Sequence, residues 1–301
     1  MVKKLVLLVV GVLMAALFAG CGNDAPKEQA AKKIQVVTSF NAMSEFAKAI
    51  GGDKVEVSTI IPDGTEPHDF ELKPENMKQL ASAQVFVYNG LGMEPWAQQA
   101  IDAAKNSKLI TVVATEGVEA IKNTDPEEIK EHGAEGPHAW LSLKNAKIEV
   151  KNIKDAFVKA DPANKDYYEK NYNDYVAKLD AMIQKYEGQF AKAPHKNFVT
   201  GHAAFAYLCR DFGLEQNSVE DVFAEGEPNA AQLAKLIEYC KENKITTIFA
   251  EEMASPEVSK TLAQEVGAKV ETIYTIESNE DNKTYLERMD ENLTKIAASL
   301  K

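Results

Sequence analysis

The stretch IQVVTSFNAMSEFAKAIGGDKVEVSTII, residues 34–61, decides the fold class. Two runs rich in valine and isoleucine, 34–40 and 55–61, flank a segment whose apolar residues recur at helical spacing. Strand, helix and strand in this order predict a βαβ unit with two parallel strands. The alternation continues through PENMKQLASA (74–83), QVFVYNG (84–90) and LITVVA (109–114). We therefore expect an α/β fold with a mostly parallel sheet wrapped by helices.

The second half of the chain repeats this alternation. Its segments are NFVTGH (197–202), AAFAYLCRDFGL (203–214), SVEDVF (218–223), PNAAQLAKLIEYCKEN (228–243), TTIFAEE (246–252), SPEVSKTLAQEVG (255–267) and KVETIYTI (269–276). Between the halves, tyrosines and aliphatic residues recur at three- and four-residue steps over 161–192, which predicts one long connecting helix. We expect an N-terminal α/β lobe at 34–160 and a C-terminal α/β lobe at 193–301, joined by this rigid helix.

The N-terminal segment has a different character. Lys3 and Lys4 precede an uncharged apolar run ending at Gly20, which is typical of a cleaved signal peptide (1–20) and too short for a transmembrane helix. The segment LFAGC resembles the bacterial lipoprotein box, which implies lipidation of Cys21; the alternative is a plain signal peptide with an incidental cysteine. Residues 21–33 are polar, so we expect a flexible tether. The protein is then expected at the outer face of the bacterial cytoplasmic membrane, anchored by lipid.

Charge and cysteine content limit the partners. The formal net charge is −12 at pH 7, and loss of the two signal-peptide lysines lowers it to −14. Such an acidic chain is not expected to bind nucleic acid or an anionic membrane surface as its main partner, and it favours cations. Cys209 and Cys240 lie among apolar neighbours, so we expect buried unpaired thiols rather than a disulfide. We expect a monomer.

Three of the five histidines lie in similar contexts. His68 follows a predicted strand through the turn PDGTEP, His138 lies in PHAW after an acidic loop, and His202 ends a strand. Ligands of open α/β sheets collect at the carboxyl ends of strands, so we expect these residues in the cleft between the lobes, with Glu277 after the last strand. Three imidazoles and one carboxylate suit a divalent cation, zinc above all, in tetrahedral geometry. The alternative for each histidine is a packing role.

Each of these histidines is followed closely by an aromatic residue: Phe70, Trp140 and Phe205. We expect the three rings to form an apolar shell that limits water access to the metal. Because an imidazole must be neutral to bind metal, we also expect the affinity to fall as the pH drops through about 6.5.

The fourth ligand and two further histidines leave alternatives open. Glu277 is preferred as the carboxylate, and Glu252, which with Glu251 ends the segment TTIFAEE, is the alternative. His132 in the acidic loop is either a weak capture site or a solvated residue. His195 is expected to be structural or exposed.

Five segments together resemble one family: PHDFEL (67–72), PHAWLSL (137–143), TGHAAFAYL (200–208), FAEE (249–252) and IYTIESNEDNKTYLERMDENL (273–293). They are similar to segments of the metal-receptor lipoproteins of bacterial ABC importers for zinc and manganese, the cluster A-I or cluster 9 solute-binding proteins. The resemblance implies capture of zinc by His68, His138, His202 and Glu277 and delivery to an ABC permease. Because family members suited to manganese often have glutamate at the third position, His202 favours zinc. Manganese or iron is the alternative cargo.

A different class of function is an extracytoplasmic zinc hydrolase that uses the same histidines. A site closed by four protein ligands leaves no position for a nucleophilic water. The sequence also lacks HExxH, GxSxG and Walker motifs, and no GxGxxG follows the first strand. We therefore predict a binding protein and not an enzyme. A lipid-anchored adhesin is a further alternative.

Overall fold

The computed structural model describes residues 33–123, 134–221, 230–251, 256–279 and 281–301, together with residue 129. The predicted signal peptide, Cys21, His132 and Glu252 lie outside the described residues. None of the helices in the described ranges combines the length and the apolar character needed to cross a membrane.

The first lobe contains a four-stranded parallel sheet with the order β2-β1-β3-β4. Its elements are β1 (Ile34–Thr38), α1 (Asn41–Gly51), β2 (Val55–Thr59), α2 (Pro74–Ser82), β3 (Val85–Tyr88), α3 (Ala97–Ala104) and β4 (Ile110–Val113). The register of the first two strands pairs Ile34 with Val55 and Thr38 with Thr59. Both strands therefore end at the same edge of the sheet, where the turn toward His68 begins. This confirms the predicted βαβ unit.

Two helices connect the sheets. Helix α4 (Leu143–Ala160) begins after Ser142, whose hydroxyl accepts a hydrogen bond from the backbone N–H of Asn145 at 3.0 Å. Helix α5 (Lys165–Lys192) has 28 residues, so its length is about 42 Å. It begins at residue 165 rather than at 161, because 162–164 form a 3-10 turn. The long connecting helix is otherwise as predicted.

The second lobe repeats the topology with the parallel order β6-β5-β7-β8. Its elements are β5 (Asn197–Thr200), α6 (Ala206–Phe212), β6 (Glu215–Ser218), α7 (Ala230–Glu242), β7 (Thr247–Glu251), α8 (Pro256–Val266) and β8 (Lys269–Ile273), followed by α9 (Tyr285–Ser299). The strand predicted at 218–223 is misplaced, since β6 covers 215–218. Gly213 ends α6 in a left-handed conformation with φ 64°, and the edge strand that follows, EQNS, lacks the apolar residues that mark a strand in sequence.

Two apolar cores lie on opposite faces of the second sheet. Neighbouring residues of a strand point to opposite faces, and Phe198 and Phe249 belong to the larger core while Val199 and Ile248 belong to the smaller one. The larger core continues through α4, α5 and α9 into the first lobe. Cys209 and Cys240 are both buried and unpaired, as predicted.

Candidate metal centre

Four side chains converge in the cleft between the lobes. His68 lies in the turn after β2, His138 precedes the 3-10 turn 139–141, and His202 follows β5. Glu277 lies after β8. One potential ligand atom from each of these residues lies within 4.8 Å of the others. The structure therefore brings together the set expected from the sequence.

Four of the six distances between the ligand atoms are close to the edges of a small tetrahedron. The Nε2 atom of His138 is 3.2 Å from Nε2 of His68 and 3.3 Å from Nε2 of His202. Glu277 Oε1 lies 3.4 Å from His138 Nε2 and 3.7 Å from His68 Nε2. A tetrahedral metal with ligand bonds of about 2.0–2.1 Å has edges of about 3.3–3.4 Å. These four distances suit a single ion bound between the four residues.

The cluster is buried and leaves an acceptor without a hydrogen-bond donor. Among the described residues, the buried Oε1 of Glu277 has no hydrogen-bond partner. Its other oxygen, Oε2, accepts a hydrogen bond of 2.7 Å from the Thr275 hydroxyl, which fixes the carboxylate plane. A buried unpaired oxygen is unfavourable unless a cation or proton lies beside it. The donor set and this oxygen both suit a metal cargo.

Burial also sets the protonation of the site. Burial lowers the pKa of His138 to about 3 and that of His202 well below its usual 6.5, to which the neighbouring His138 contributes. Burial raises the pKa of Glu277 to about 7, and the hydrogen bond from Thr275 opposes this shift. The two imidazoles are neutral and available as ligands at neutral pH. The expected loss of affinity as the pH drops through about 6.5 stays a prediction. The raised pKa of Glu277 favours it, whereas the lowered pKa of His138 and of His202 moves their protonation to a lower pH.

A carboxylate from the second sheet holds His202 in place. Glu251 at the end of β7 accepts a hydrogen bond from the His202 backbone N–H at 3.2 Å, and its Oε1 lies 3.8 Å from His202 Nδ1. Metal-binding histidines commonly direct their second ring nitrogen toward such a carboxylate. In the sequence, Glu251 stands out only as a neighbour of the alternative ligand Glu252, and its support of His202 was not predicted.

The three aromatic residues expected around the metal have different surroundings. Trp140 is fully buried, and its ring centroid lies 5.2 Å from that of His138. Phe205 packs against Phe198 at 6.2 Å, and Phe70 packs against Trp96 at 5.7 Å. Trp140 is therefore the ring with a direct contact to a ligand, while the other two contribute to packing nearby. His195 is half-buried at the start of the second lobe, away from the cluster.

Sequence order assigns two of the four residues to each lobe, but the contacts of Glu277 point to the first. The backbone N–H of Asn41 donates to the carbonyl oxygen of Glu277 at 3.3 Å. Asn41 is the first residue of α1 in the first lobe. Two of the four residues therefore come from each half of the sequence, but in the folded structure the Glu277 loop is hydrogen-bonded to the first lobe. Asn41 was missed because a lone asparagine at a helix start has many ordinary roles.

Comparison with known proteins agrees with this geometry. The sequence profile of ZnuA, zinc-uptake complex component A, periplasmic, matches residues 36–299. The chain belongs to this family. Its members are non-catalytic metal-binding transport proteins, which confirms the prediction of a binding protein rather than a hydrolase. The chain is accordingly a solute-binding protein of zinc uptake by an ABC transporter.

Relatives of this family resemble the chain over most of its length. The high-affinity zinc uptake system protein ZnuA of Bacillus subtilis is 40% identical over 299 residues, covering 94% of this chain and 94% of that protein. A Zn(II)-bound variant of AdcAII of Streptococcus pneumoniae is 33% identical with a TM-score of 0.82, covering 90% of this chain and 99% of that structure. The laminin-binding protein Lmb of Streptococcus agalactiae, described as having adhesin and metal transporting activity, is 31% identical with a TM-score of 0.81, covering 90% and 100%.

Proposed function

We propose that His68, His138, His202 and Glu277 together bind one Zn(II) ion as the transported cargo. The observation that carries this proposal is the convergence of four ligand atoms within 4.8 Å of one another, with four of their six separations at 3.2–3.7 Å, close to the edges of a tetrahedral zinc site. Glu277 supplies the negative charge and the three imidazoles supply neutral nitrogen donors. The alternative carboxylate Glu252 is not needed to complete four ligands.

The same donor set favours zinc over manganese. Manganese prefers oxygen ligands in octahedral geometry, whereas zinc accepts imidazole and carboxylate in a tetrahedron. Three nitrogens and one carboxylate in a buried cluster offer neither the six positions nor the oxygen atoms that manganese prefers. We therefore place manganese and iron as weaker competitors for this site.

The arrangement supports capture and release rather than chemistry. Four protein ligands replace the hydration shell of the ion and leave no coordination position for a reacting water. Burial of the ligands keeps the bound ion away from solvent until the cleft opens. The ABC permease that receives the ion is implied by the family, and the protein docks on it from the outer side of the membrane.

Attachment to the membrane completes the proposed function. Lipidation of Cys21 would anchor the protein to the outer face of the cytoplasmic membrane, and the polar residues 21–33 would let the two lobes reach the permease. Cys21→Ala is expected to release the protein into the medium or periplasm without changing its zinc affinity. Retention of the variant in the membrane fraction would contradict lipid anchoring.

Metal analysis tests the cargo directly. Elemental analysis of protein purified without added metal is expected to show zinc, and the metal-free protein is expected to bind one equivalent. Competition between zinc and manganese should leave zinc bound when manganese is in large excess. Preferential retention of manganese, or a zinc affinity that does not change when His138 is replaced by Ala, would overturn the proposal.

A further inference from the structure

The loop that carries Glu277 is fastened to the first lobe by one asparagine. The side-chain amide of Asn41 donates to the carbonyl oxygens of Ile276 and Ser278, each at 3.2 Å. The Asn41 backbone N–H donates to the carbonyl oxygen of Glu277 between them at 3.3 Å. Asn41 is buried, with 4% of its surface exposed. Three consecutive carbonyl groups of the loop thus bind one residue of α1.

The turn that leads to His68 contacts the same loop. The backbone N–H of Gly64 donates to the Ser278 hydroxyl at 2.8 Å, and Asp63 accepts a hydrogen bond from the Asn279 backbone N–H at 3.0 Å. Both partners lie within five residues of His68 along the chain. The loops that position His68 and Glu277 are therefore bonded to each other as well as to α1.

Thr275 and Tyr285, which lie on either side of the Glu277 loop, contact residues on the first-lobe side. Trp140 donates through Nε1 to the Thr275 carbonyl at 2.7 Å, and the hydroxyl of Tyr285 donates to the Trp140 carbonyl at 2.6 Å. The Tyr285 ring lies 4.6 Å from that of Phe46 in α1. Through Trp140, these contacts connect the loop to the turn that carries His138.

His202 is held by a different set of partners, which lie in the second sheet. Its carbonyl oxygen accepts hydrogen bonds from the Thr200 hydroxyl at 2.6 Å and from Gln216 Nε2 at 2.8 Å. Its backbone N–H donates to Glu251. Thr200, Gln216 and Glu251 belong to β5, β6 and β7. A displacement of the second sheet would therefore move His202.

We propose that Asn41 is a positioning residue that keeps Glu277 with the first lobe, so that His68, His138 and Glu277 form a three-ligand half-site and the second lobe supplies His202 alone. This inference rests on the proposed function of the cluster as a zinc site. Opening of the cleft then withdraws one imidazole and leaves the ion on three ligands, with the fourth position open to water or to a group of the permease. Asparagine suits this role because its amide offers two N–H donors, whereas an aspartate would place a carboxylate against two carbonyl oxygens.

A double-mutant cycle on zinc affinity tests the role of Asn41. In the parent, Asn41→Ala is expected to lower the zinc affinity by about 10–100-fold, the usual effect of losing a residue that holds a metal ligand in place. In the Glu277→Gln background the same change is expected to have less than about a threefold effect, because the ligand that Asn41 positions is already altered. Equal losses in both backgrounds, or no loss in the parent, would overturn the proposal.

Asn106→Ala is the matched control. Its amide also donates to two backbone carbonyls, those of Leu80 at 3.1 Å and Ala83 at 2.8 Å, but it lies outside the metal centre. It removes the same kind of double hydrogen bond and is expected to change zinc affinity by less than about twofold in either background. A loss equal to that of Asn41→Ala would show a general effect of destabilisation and would also overturn the proposal.

A distance measurement tests the same inference without changing Asn41 or any residue of the Glu277 loop. Spin labels are placed on the exposed positions Gln98 in α3, Ala298 in α9 and Lys235 in α7, in a Cys21→Ser background in which Cys209 and Cys240 are buried. On removal of zinc, the Gln98 to Ala298 distance is expected to stay within about 1 Å. The Gln98 to Lys235 distance is expected to shift or broaden. Joint movement of the labels on α9 and α7 would overturn the proposal, even if zinc binding itself is confirmed.

Discussion

The two sheets have the same strand order but contribute differently to the metal centre. The loops of the first lobe carry His68 and His138, and the loop of Glu277 is hydrogen-bonded to α1 through Asn41 and to the turn of His68 through Gly64. The second sheet holds His202 through its own strands. Symmetric topology predicts where ligands lie, at the carboxyl edges of both sheets, but the side-chain contacts determine which ligands move together.

The largest effect is expected for His138, the central ligand of the half-site, when it is compared with His202, the ligand supplied by the second sheet. His138→Ala leaves two ligands in the first lobe, and we expect it to weaken zinc by more than about 100-fold, beyond the usual effect of losing an outer-shell partner. His202→Ala leaves three ligands that are already together, so its loss is expected to be at least about tenfold smaller. Chelator competition at fixed pH measures both affinities.

His195→Ala is the control for these substitutions, since His195 lies away from the cluster, and its affinity should equal that of the parent. Equal losses for His138→Ala and His202→Ala would show that the two lobes contribute equally and would contradict the unequal division.

The next effect concerns the support of His202. Glu251→Gln removes the charge that accepts the His202 backbone N–H and faces its Nδ1, so we expect zinc affinity to fall by about tenfold and by no more than the loss for His202→Ala. Gly201→Ala should act in the same direction, because its added Cβ would lie 1.8 Å from Glu251 Oε2 and displace the carboxylate. In the His202→Ala background, both effects should disappear. Persistence there would show that Glu251 does not act through His202.

A smaller effect is expected for the hydrogen bond that ties the His138 turn to the end of β8. Trp140→Phe removes the N–H donor to the Thr275 carbonyl, and we expect the loss of this hydrogen bond to lower the free energy of unfolding by about 1.5 kcal/mol. Trp96→Phe is the matched control, since Trp96 is also buried but its Nε1 has no hydrogen-bond partner among the described residues. Denaturant unfolding of the metal-free proteins should show a larger loss of stability for Trp140→Phe than for Trp96→Phe. Equal losses would contradict a stabilising role of this hydrogen bond.

The smallest expected effect concerns a buried carboxyl group outside the metal centre. Glu149 in α4 is fully buried, neither carboxyl oxygen has a hydrogen-bond partner among the described residues, and burial raises its pKa to about 8. The unfolded chain ionises this group near pH 4.5 while the folded protein keeps it protonated, so stability falls as the pH rises from about 4.5 to 8. Relative to the parent, Glu149→Gln should therefore raise the free energy of unfolding by more at pH 8 than at pH 4.

Glu187→Gln, at an exposed position of α5, serves as the control for the pH series. As the pH rises from 4 to 8, the free energy of unfolding of Glu149→Gln should increasingly exceed that of the parent. The free energy of unfolding of Glu187→Gln should change in parallel with that of the parent. A gain that does not depend on pH would show that Glu149 is not protonated in the folded protein.

The fold and the identity of the converging residues followed from local patterns in the sequence. The runs 34–40 and 55–61 have β-branched apolar residues, and the histidines follow predicted strands, so topology placed them in one cleft. Strand β6 was misplaced because EQNS at the edge of the sheet contains no apolar residue and its pairing depends on β5. A strand of this kind is defined by its neighbour and not by its own sequence.

The supporting contacts could not be predicted because they join residues far apart in the chain. Asn41 and Ile276 are 235 positions apart, and a single sequence carries no signal that links them. Glu251 was noticed for its carboxylate, but its orientation toward His202 depends on the close approach of Gly201, which has no side chain in the way. The low pKa of His138 likewise results from burial that only the folded structure reveals.

The central claim is that three imidazoles and one carboxylate enclose a single zinc ion. X-ray absorption at the zinc edge of the fully loaded protein tests it most directly. The account predicts four ligand atoms at about 2.0–2.2 Å, three of them imidazole nitrogens and one a carboxylate oxygen, with the oxygen contribution altered in Glu277→Gln. A shell of six oxygen or nitrogen atoms, or a spectrum unchanged by that substitution, would contradict it.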